Sequence, residues 1–367
     1  MKMGQPVYIV CGGTGGHLSP GIATAQSLEE QGVSACLVVS HKEIDSQLMR
    51  GYPEISYFRA KAAPFALKPV GLWRFFSHNF AGMVTALRIL QRERPAVLLA
   101  FGGYLAVSWS LAAWLLRIPL VLHEANRVPG KSIRLLGRFA ARVFLPEGVR
   151  VSGVPSRRVV RLGMPLRREV RHIAKDRIRE QMAIPRSAKV LLVVGGSQGA
   201  TVLNTWIQEH TAFLVADGVW VLHVSGPGKG GLPAVEHGRS DAGEPVEVRR
   251  YTFHSALYEL FSCADLVVSR AGAGSIAEMV VCLSPAILVP YPHAADGHQE
   301  ANARFMERRG ACILVGQEQV SQLYREVLDT LYNDWLLGRM RENLRGLTGE
   351  QAADELVRYL TSDDASK

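Results

Sequence analysis

Two stretches of this chain repeat one local pattern. The apolar run Val7-Tyr8-Ile9-Val10-Cys11 leads into Gly12-Gly13-Thr14-Gly15-Gly16-His17, after which Ile22, Ala25 and Leu28 recur at helical spacing. Val190-Leu191-Leu192-Val193-Val194 leads into Gly195-Gly196-Ser197-Gln198-Gly199-Ala200, followed by Leu203, Trp206 and Ile207. Each predicts a buried strand, a tight glycine turn and a helix. Such units pack with their strands parallel and their helices on both faces of the sheet, so their recurrence in each half predicts two α/β domains. The length agrees, since 367 residues are too many for one comfortable core. Neither turn fits G-x-G-x-x-G, because Leu18 stands where the third glycine belongs. A dinucleotide-dependent dehydrogenase is disfavoured accordingly.

A third turn carries the most chemistry. Leu266-Val267-Val268 reads as a strand, and Ser269-Arg270-Ala271-Gly272-Ala273-Gly274-Ser275-Ile276-Ala277-Glu278 opens a helix marked by Ile276, Met279, Val280 and Leu283. Small residues let a backbone approach a ligand closely. The free N–H groups of a first helical turn then face that ligand, with the helix dipole behind them. Glu278 is placed in that first turn, where a carboxylate is favoured and can accept from hydroxyls. Donors for oxygen-rich groups beside an acceptor for paired hydroxyls suit a nucleotide sugar. Ordinary strand-to-helix connections also use such turns, so the motif gains weight from the other two.

Strands are expected at 7–11, 35–40, 97–101, 119–123 and 142–145, then at 190–194, 219–224, 246–250, 266–268, 286–289 and 312–315. Their alternation with helices predicts two parallel, doubly wound, Rossmann-like sheets whose glycine turns face one cleft at the carboxyl ends of the strands. Pro165 marks the seam at Gly163-Met164-Pro165-Leu166-Arg167. The expected domains are residues 1–164, 165–340 and a C-terminal helical segment, 341–367, that packs back on the first domain. A basic helix is expected over Arg168 to Met182, and a helical tail over Trp335 to Leu360.

Composition narrows the class. Hydrophobic residues make up 48% of the chain, which has 35 glycines, so it is globular. Cysteines at 11, 36, 263, 282 and 312 form no C-x-x-C pair, which points to a reducing compartment without structural zinc. The chain enters its first strand almost at once, so no signal peptide is expected. Ala96 to Leu116 is uncharged over 21 residues, but Gly102-Gly103 splits it into a strand and a small-residue helix rather than a membrane span. The net charge of +9 is concentrated between Lys131 and Lys189, where 16 Lys/Arg face four acids. Without interleaved aromatics or a nucleic-acid motif this segment does not indicate nucleic acid. A solvated face, an anionic membrane surface or a diphosphate remain as readings.

Together with His123-Glu124-Ala125-Asn126 and Pro290-Tyr291-Pro292-His293-Ala294-Ala295-Asp296-Gly297-His298-Gln299-Glu300-Ala301-Asn302-Ala303, the three turns make the chain resemble the MurG family along nearly its whole length. These are peptidoglycan glycosyltransferases of the GT-B fold that act at the cytoplasmic face of the inner membrane. The resemblance implies transfer of GlcNAc from UDP-GlcNAc to the 4-hydroxyl of MurNAc in lipid I, undecaprenyl-pyrophosphoryl-MurNAc-pentapeptide. Lipid II and UDP would be the products, with inversion and with no cofactor. It also implies that Ser197, Arg167, Glu278 and the turn of Ala273, Gly274, Ser275, Ile276 and Ala277 meet the nucleotide and sugar. Gln299 would contact the sugar, with His298 as a rival, and the backbone of His254 would meet uracil. Thr14, Gly15, Gly16 and Asn126 would be first-domain contacts that close over the donor. The chain departs from the pattern at Ala125, where glutamine is common, at Met164, which replaces asparagine, and at Leu105-Ala106-Val107, which bears on acceptor contacts.

Displacement at an anomeric carbon needs a base for the attacking hydroxyl and stabilisation of the departing diphosphate. No D-x-D occurs, so a metal held by paired carboxylates is not expected. Helix N-termini and Arg167 or Arg270 would carry the diphosphate charge instead. His17, at a helix start after four glycines, is the candidate base or else a phosphate contact. Glu124 is the weaker candidate, either catalytic or an orienter of Asn126. For a lipid-linked acceptor the stretch Phe65 to Phe80 is the candidate membrane-docking segment, with Leu72, Trp73, Phe75, Phe76 and Phe80 beside Lys68 and Arg74. A core helix would show the same aromatics. Two other functions fit the motifs less well: another GT-B enzyme using a UDP-sugar, such as an epimerase or a transferase to a different lipid, and a non-catalytic scaffold.

Overall fold

The computed structural model describes residues 5–13, 15–61, 69–196, 199–226, 228, 233–348 and 352–362. The chain divides into two compact units, Met1–Arg168 with Gly349–Lys367, and Glu169–Thr348.

The first unit contains strands β1 (Val7–Val10), β2 (Ala35–Val39), β3 (Tyr57–Arg59), β4 (Val97–Ala100), β5 (Leu120–His123), β6 (Arg142–Leu145) and β7 (Val159–Arg161). They form one parallel sheet of order β3-β2-β1-β4-β5-β6-β7. Helices α1 (Gly15–Glu30), α2 (Glu43–Met49), α3 (Pro69–Glu93), α4 (Gly103–Leu115) and α5 (Lys131–Leu136) connect them. Successive strand residues point to opposite faces, and the core divides accordingly. Val7 and Ile9 pack with Leu18, Ile22 and Leu28 of α1, while Tyr8 and Val10 pack with Leu90, Leu105 and Trp109. The uncharged 96–116 stretch is β4 followed by α4. No helix among the described residues is long and apolar enough to cross a membrane.

The second unit contains α6 (Lys175–Gln181), α7 (Thr201–Ala216), α8 (Leu257–Cys263), α9 (Ala273–Cys282), α10 (His298–Arg308), α11 (Leu323–Leu331) and α12 (Asp334–Arg345). Its strands are β8 (Lys189–Val194), β9 (Val219–Val224), β10 (Val235–Arg239), β11 (Pro245–Tyr251), β12 (Leu266–Ser269), β13 (Ala286–Leu288) and β14 (Cys312–Leu314). The sheet order is β10-β11-β9-β8-β12-β13-β14, with β10 antiparallel at the edge. Leu191 and Val193 face Leu203, Trp206 and Val327, whereas Val190, Leu192 and Val194 face Phe261, Met279 and Met306. A fully buried Arg179 staples α6 to the sheet. It donates to the Cys263, Arg186 and Ala188 carbonyls and pairs with Asp265 at 2.7 Å.

Two helix expectations change. The basic helix begins only at Lys175, because the preceding backbone has other partners: the Arg168 N–H donates to Gln26 and the Ile173 N–H to Ser262. The tail is two helices, α12 and α13 (Ala352–Thr361), not one. Within the first unit α13 lies on α1: Leu356, Val357 and Leu360 share a core with Leu18 and Ile22, and Ser27 donates to Asp354 at 2.7 Å.

Candidate functional site

In the first unit, Val10 pairs with both Val38 and Ala100. That register brings Gly12-Gly13, Ser40 and Gly102-Gly103 side by side at the carboxyl edge of the sheet. The glycines are needed there. A Cβ on Gly12 would sit 2.3 Å from the Ser40 nitrogen, and Gly13, at φ +110°, lies against the Tyr104 ring. α1 starts at Gly15, so Gly16 and His17 occupy its first turn, Gly16 exposed and His17 half-buried. Gly103, at φ +77°, leaves room for the His17 ring, since a Cβ there would meet Nδ1 at 3.2 Å. Thr14 lies outside the described residues.

His123 ends β5 and Glu124 follows it, and both are buried. The His123 Nε2 is 2.8 Å from the Gly163 carbonyl. Burial pushes this imidazole down to about 4, against the opposing pull of that carbonyl and of Glu124, so it is neutral at pH 7. Both oxygens of Glu124 accept hydrogen bonds. One oxygen accepts from the Asn126 backbone and side-chain N–H groups at 2.9 and 2.8 Å, and the other from the Gly130 N–H at 2.7 Å, where α5 begins. This geometry orients Asn126 and holds Gly130, the residue before α5. Arg167 falls in the first unit, where it is buried and donates to the Tyr52 hydroxyl at 3.0 Å.

In the second unit, Ser269 pairs with Val194, which sets Gly195-Gly196 beside Arg270-Ala271-Gly272. The first of these turns folds on itself: the Gly199 N–H reaches the Gly196 carbonyl at 2.9 Å, and a Cβ on Gly195 would sit 2.2 Å from the Ala200 nitrogen. Ser197 lies outside the described residues. α9 begins at Ala273, earlier than the apolar spacing suggested, with Gly272 as its N-cap. The Ile276 N–H already bonds the Gly272 carbonyl. The donors left over belong to Ala273, Gly274 and Ser275. Ile276, Ala277 and the buried Glu278 follow, which moves Glu278 from the first turn to the second.

Arg270 is a brace. Its guanidinium donates to the Val289 and Pro290 carbonyls at 3.0 and 3.2 Å and to Gln317 at 2.6 Å, and it stands over the Tyr291 ring. Burial pulls its pKa below the ordinary guanidinium value. It fixes the segment after β13 with three of a guanidinium's five N–H donors. Gln299 accepts from the Tyr291 N–H at 2.9 Å, and His298 is bonded to the Ala295 carbonyl. His254 packs edge-on against Tyr251, and burial lowers its pKa.

The sequence left two contributors without a role. Asn302 is buried on α10 and donates to the Ala271 carbonyl at 3.1 Å. Asn204 on α7 bonds the Ser225 carbonyl and the His223 ring, joining the helix after the glycine turn to the end of β9. Both stand at buried positions of amphipathic helices, where an asparagine needs a polar partner.

Comparison with known proteins matches these turns to a family. A profile of the glycosyltransferase family 28 N-terminal domain covers residues 7–145, and one of its C-terminal domain covers residues 190–356. The UDP-N-acetylglucosamine--N-acetylmuramyl-(pentapeptide) pyrophosphoryl-undecaprenol N-acetylglucosamine transferase of Opitutus terrae is 47% identical over 92% of this chain and 89% of its own. The chain belongs to the MurG family. Its Synechococcus elongatus relative of the same name is 34% identical over 90% of this chain and 89% of its own. Among solved structures, Acinetobacter baumannii MurG superposes with a TM-score of 0.70 at 25% identity, over 97% of this chain and 99% of its own. A putative UDP-N-acetylglucosamine 2-epimerase from Listeria monocytogenes reaches 0.69 at 14% identity, covering 97% of this chain and 95% of its own, a likeness of fold alone. The two parallel-sheet units are those of a GT-B glycosyltransferase, as the sequence led us to expect, and MurG membership rests on identity rather than on fold.

Proposed function

We infer that this chain transfers GlcNAc from UDP-GlcNAc to the 4-hydroxyl of MurNAc in undecaprenyl-pyrophosphoryl-MurNAc-pentapeptide, inverting the anomeric carbon and releasing UDP in peptidoglycan synthesis. The observation that carries this reading is the 47% identity to a curated transferase of that name over nearly the whole chain.

The donor belongs to the second unit. Open N–H groups of Ala273, Gly274 and Ser275 at the positive end of α9 suit the diphosphate. Glu278 accepts from the ribose hydroxyls, the His254 backbone meets uracil, and Gln299 or His298 holds the sugar. Ser197 and Arg167 add nucleotide contacts, while Arg270 acts by bracing the segment that carries Tyr291. In the first unit Thr14, Gly15, Gly16 and Asn126 are substrate contacts, and His17, on the acceptor side, takes the proton of the attacking hydroxyl. Glu124 acts through Asn126. Charge on the leaving diphosphate is met by preorganised N–H donors, the arrangement that contributes most when it need not reorganise during reaction.

The acceptor lipid places the enzyme peripherally at the cytoplasmic leaflet of the inner membrane, on an anionic surface, through its first unit. Radiolabelled UDP-GlcNAc with and without a lipid I analogue tests the activity. Acceptor-dependent formation of labelled lipid II with stoichiometric UDP is expected. Conversion of the UDP-sugar without acceptor would identify an epimerase instead.

A further inference from the structure

Asp45 on α2 is fully buried. Its Oδ2 accepts three hydrogen bonds: from the Gly13 N–H at 2.9 Å, the Ser40 N–H at 3.0 Å and the Ser40 hydroxyl at 2.6 Å. Oδ1 is buried as well and has no partner among the described residues. A carboxylate in such a place is costly to desolvate and persists only where donors compensate it. Here they come from the glycine turn after β1 and from the end of β2, elements that the chain must hold at a fixed distance.

Lys42 completes the grip from outside. Its Nζ donates to the Gly13 carbonyl at 2.7 Å and stands 5.5 Å from the centre of the Tyr104 ring, while its own N–H reaches the Ser40 hydroxyl at 3.2 Å. Gly13 therefore has both its N–H and its C=O fixed by the short segment from Lys42 to Asp45. Its φ of +110° is open to glycine but strained for other residues, and nothing in β1 itself imposes it. The Tyr104 ring bounds the same residue on a further side, and Tyr104 follows the glycine that accommodates His17.

We propose that Asp45 and Lys42 are positioning residues for the glycine turn after β1. They lock the Gly13 peptide so that the start of α1, with His17, stands in a fixed place for the reaction. The proposal rests on the transferase reading, in which His17 faces the acceptor. A small displacement of a reacting group costs far more in turnover than in donor binding, because alignment enters only at the transition state.

The test uses the full chain with three variants. Lys42 is exposed, so Lys42→Met leaves folding intact and removes the tie to the Gly13 carbonyl. Lys42→Arg keeps a cation that can reach it. Asp45→Asn weakens the inner grip. Amide hydrogen exchange over residues 7–20 should rise about tenfold in Lys42→Met and Asp45→Asn, with kcat falling about tenfold and the KM for UDP-GlcNAc within about twofold of wild type. Lys42→Arg should recover most of both. Unchanged exchange in Lys42→Met, or faster exchange at wild-type kcat, overturns the proposal. Should Asp45→Asn not fold, the comparison of Lys42→Met with Lys42→Arg decides alone. An inactive wild type would refute the transferase reading, and the exchange data would still judge the clamp.

Discussion

Asn302 donates its side-chain N–H to the Ala271 carbonyl, so α10 holds the turn from which α9 starts. One helical turn earlier, Gln299 accepts from the Tyr291 N–H. A single helix thus anchors both backbone segments assigned to the donor, and Arg270 links them from beneath through Val289 and Pro290. Asn302→Ala removes a buried hydrogen-bond partner, a loss of about 1–3 kcal/mol. The expected result is a lower urea midpoint together with a raised donor KM. A stability loss at unchanged donor KM would confine Asn302 to the scaffold.

Glu278 is buried in the second turn of α9, a setting where a charged acceptor lost from a ligand costs about 1.5–3 kcal/mol. Glu278→Ala should raise the KM for UDP-GlcNAc about tenfold or more, with a smaller change in kcat. Glu278→Gln keeps an acceptor oxygen and should fall between. Wild-type kinetics in a folded Glu278→Ala protein would remove this residue from the ribose site.

His17 and Glu124 separate by kinetics. His17→Ala should lower kcat by about 100-fold or more while sparing donor affinity, as expected when a proton acceptor is lost. Glu124→Gln retains one acceptor oxygen but meets the Asn126 and Gly130 donors with an NH2 group, so it should act through a displaced Asn126. The pH dependence of the residual Glu124→Gln activity should match wild type in its basic-group limb. Loss of that limb would make Glu124 the base, and donor binding that falls in His17→Ala at intact kcat would make His17 a phosphate contact.

Much of this was legible in advance because it depends on neighbours in sequence. Strand, glycine turn and helix announce themselves through local spacing, and the MurG resemblance followed from those turns. What escaped notice depends on distant partners. The strands β3, β7 and β10 lie at sheet edges, where one side is solvated and apolar alternation fades. Arg270, expected at the diphosphate, also holds the carbonyls after β13, which are 19 and 20 residues away in sequence. α9 starts before its apolar spacing does, because Ala273, Gly274 and Ser275 carry no apolar period. Asp45 gave no signal at all, as its meaning lies 32 residues away at Gly13.

Acid should weaken both units through two buried imidazoles. Burial holds His123 in the first unit and His223 in the second down to about 4, with Arg250 adding to the effect at His223. The unfolded imidazole takes its proton near 6.5, while the folded one stays neutral until far lower pH. Between those values the unfolded state binds more protons. The contribution is therefore complete above about pH 6.5 and declines toward pH 4, at up to about 1.4 kcal/mol per pH unit per histidine. Asp265 does not confuse this window: burial raises it, but Lys175, Arg179 and the Val190 N–H bring it below 3.8, so its contribution is lost only at lower pH. Urea midpoints should fall steadily from pH 7 to pH 5. A level profile would show that these imidazoles accept protons without unfolding.

Membrane docking has a described surface to test. The expected segment lies partly beyond reach: residues 65–68 fall outside the described residues, as do the side chains of Leu72, Trp73, Arg74, Phe75 and Phe76, whereas Phe80 on α3 is 71% exposed. A second cluster stands at the end of α4 and on α5. Trp114, Leu115 and Leu135 are each about half exposed, and Trp114 packs on Phe139 with ring centres 5.1 Å apart. Arg117, Lys131, Arg134 and Arg138 are exposed around them. Apolar anchors that enter the headgroup region, ringed by cations that attract anionic lipid, bind a bilayer surface without crossing it. Co-sedimentation with vesicles of phosphatidylglycerol and phosphatidylethanolamine should therefore be strong for wild type and weaker in 0.5 M salt, at about which ionic strength surface attraction is largely screened. Trp114→Ser/Leu135→Ser and Trp73→Ser/Phe76→Ser should each reduce binding while leaving turnover of a water-soluble acceptor analogue intact. Equal binding by wild type and both double variants would place the membrane contact on another face.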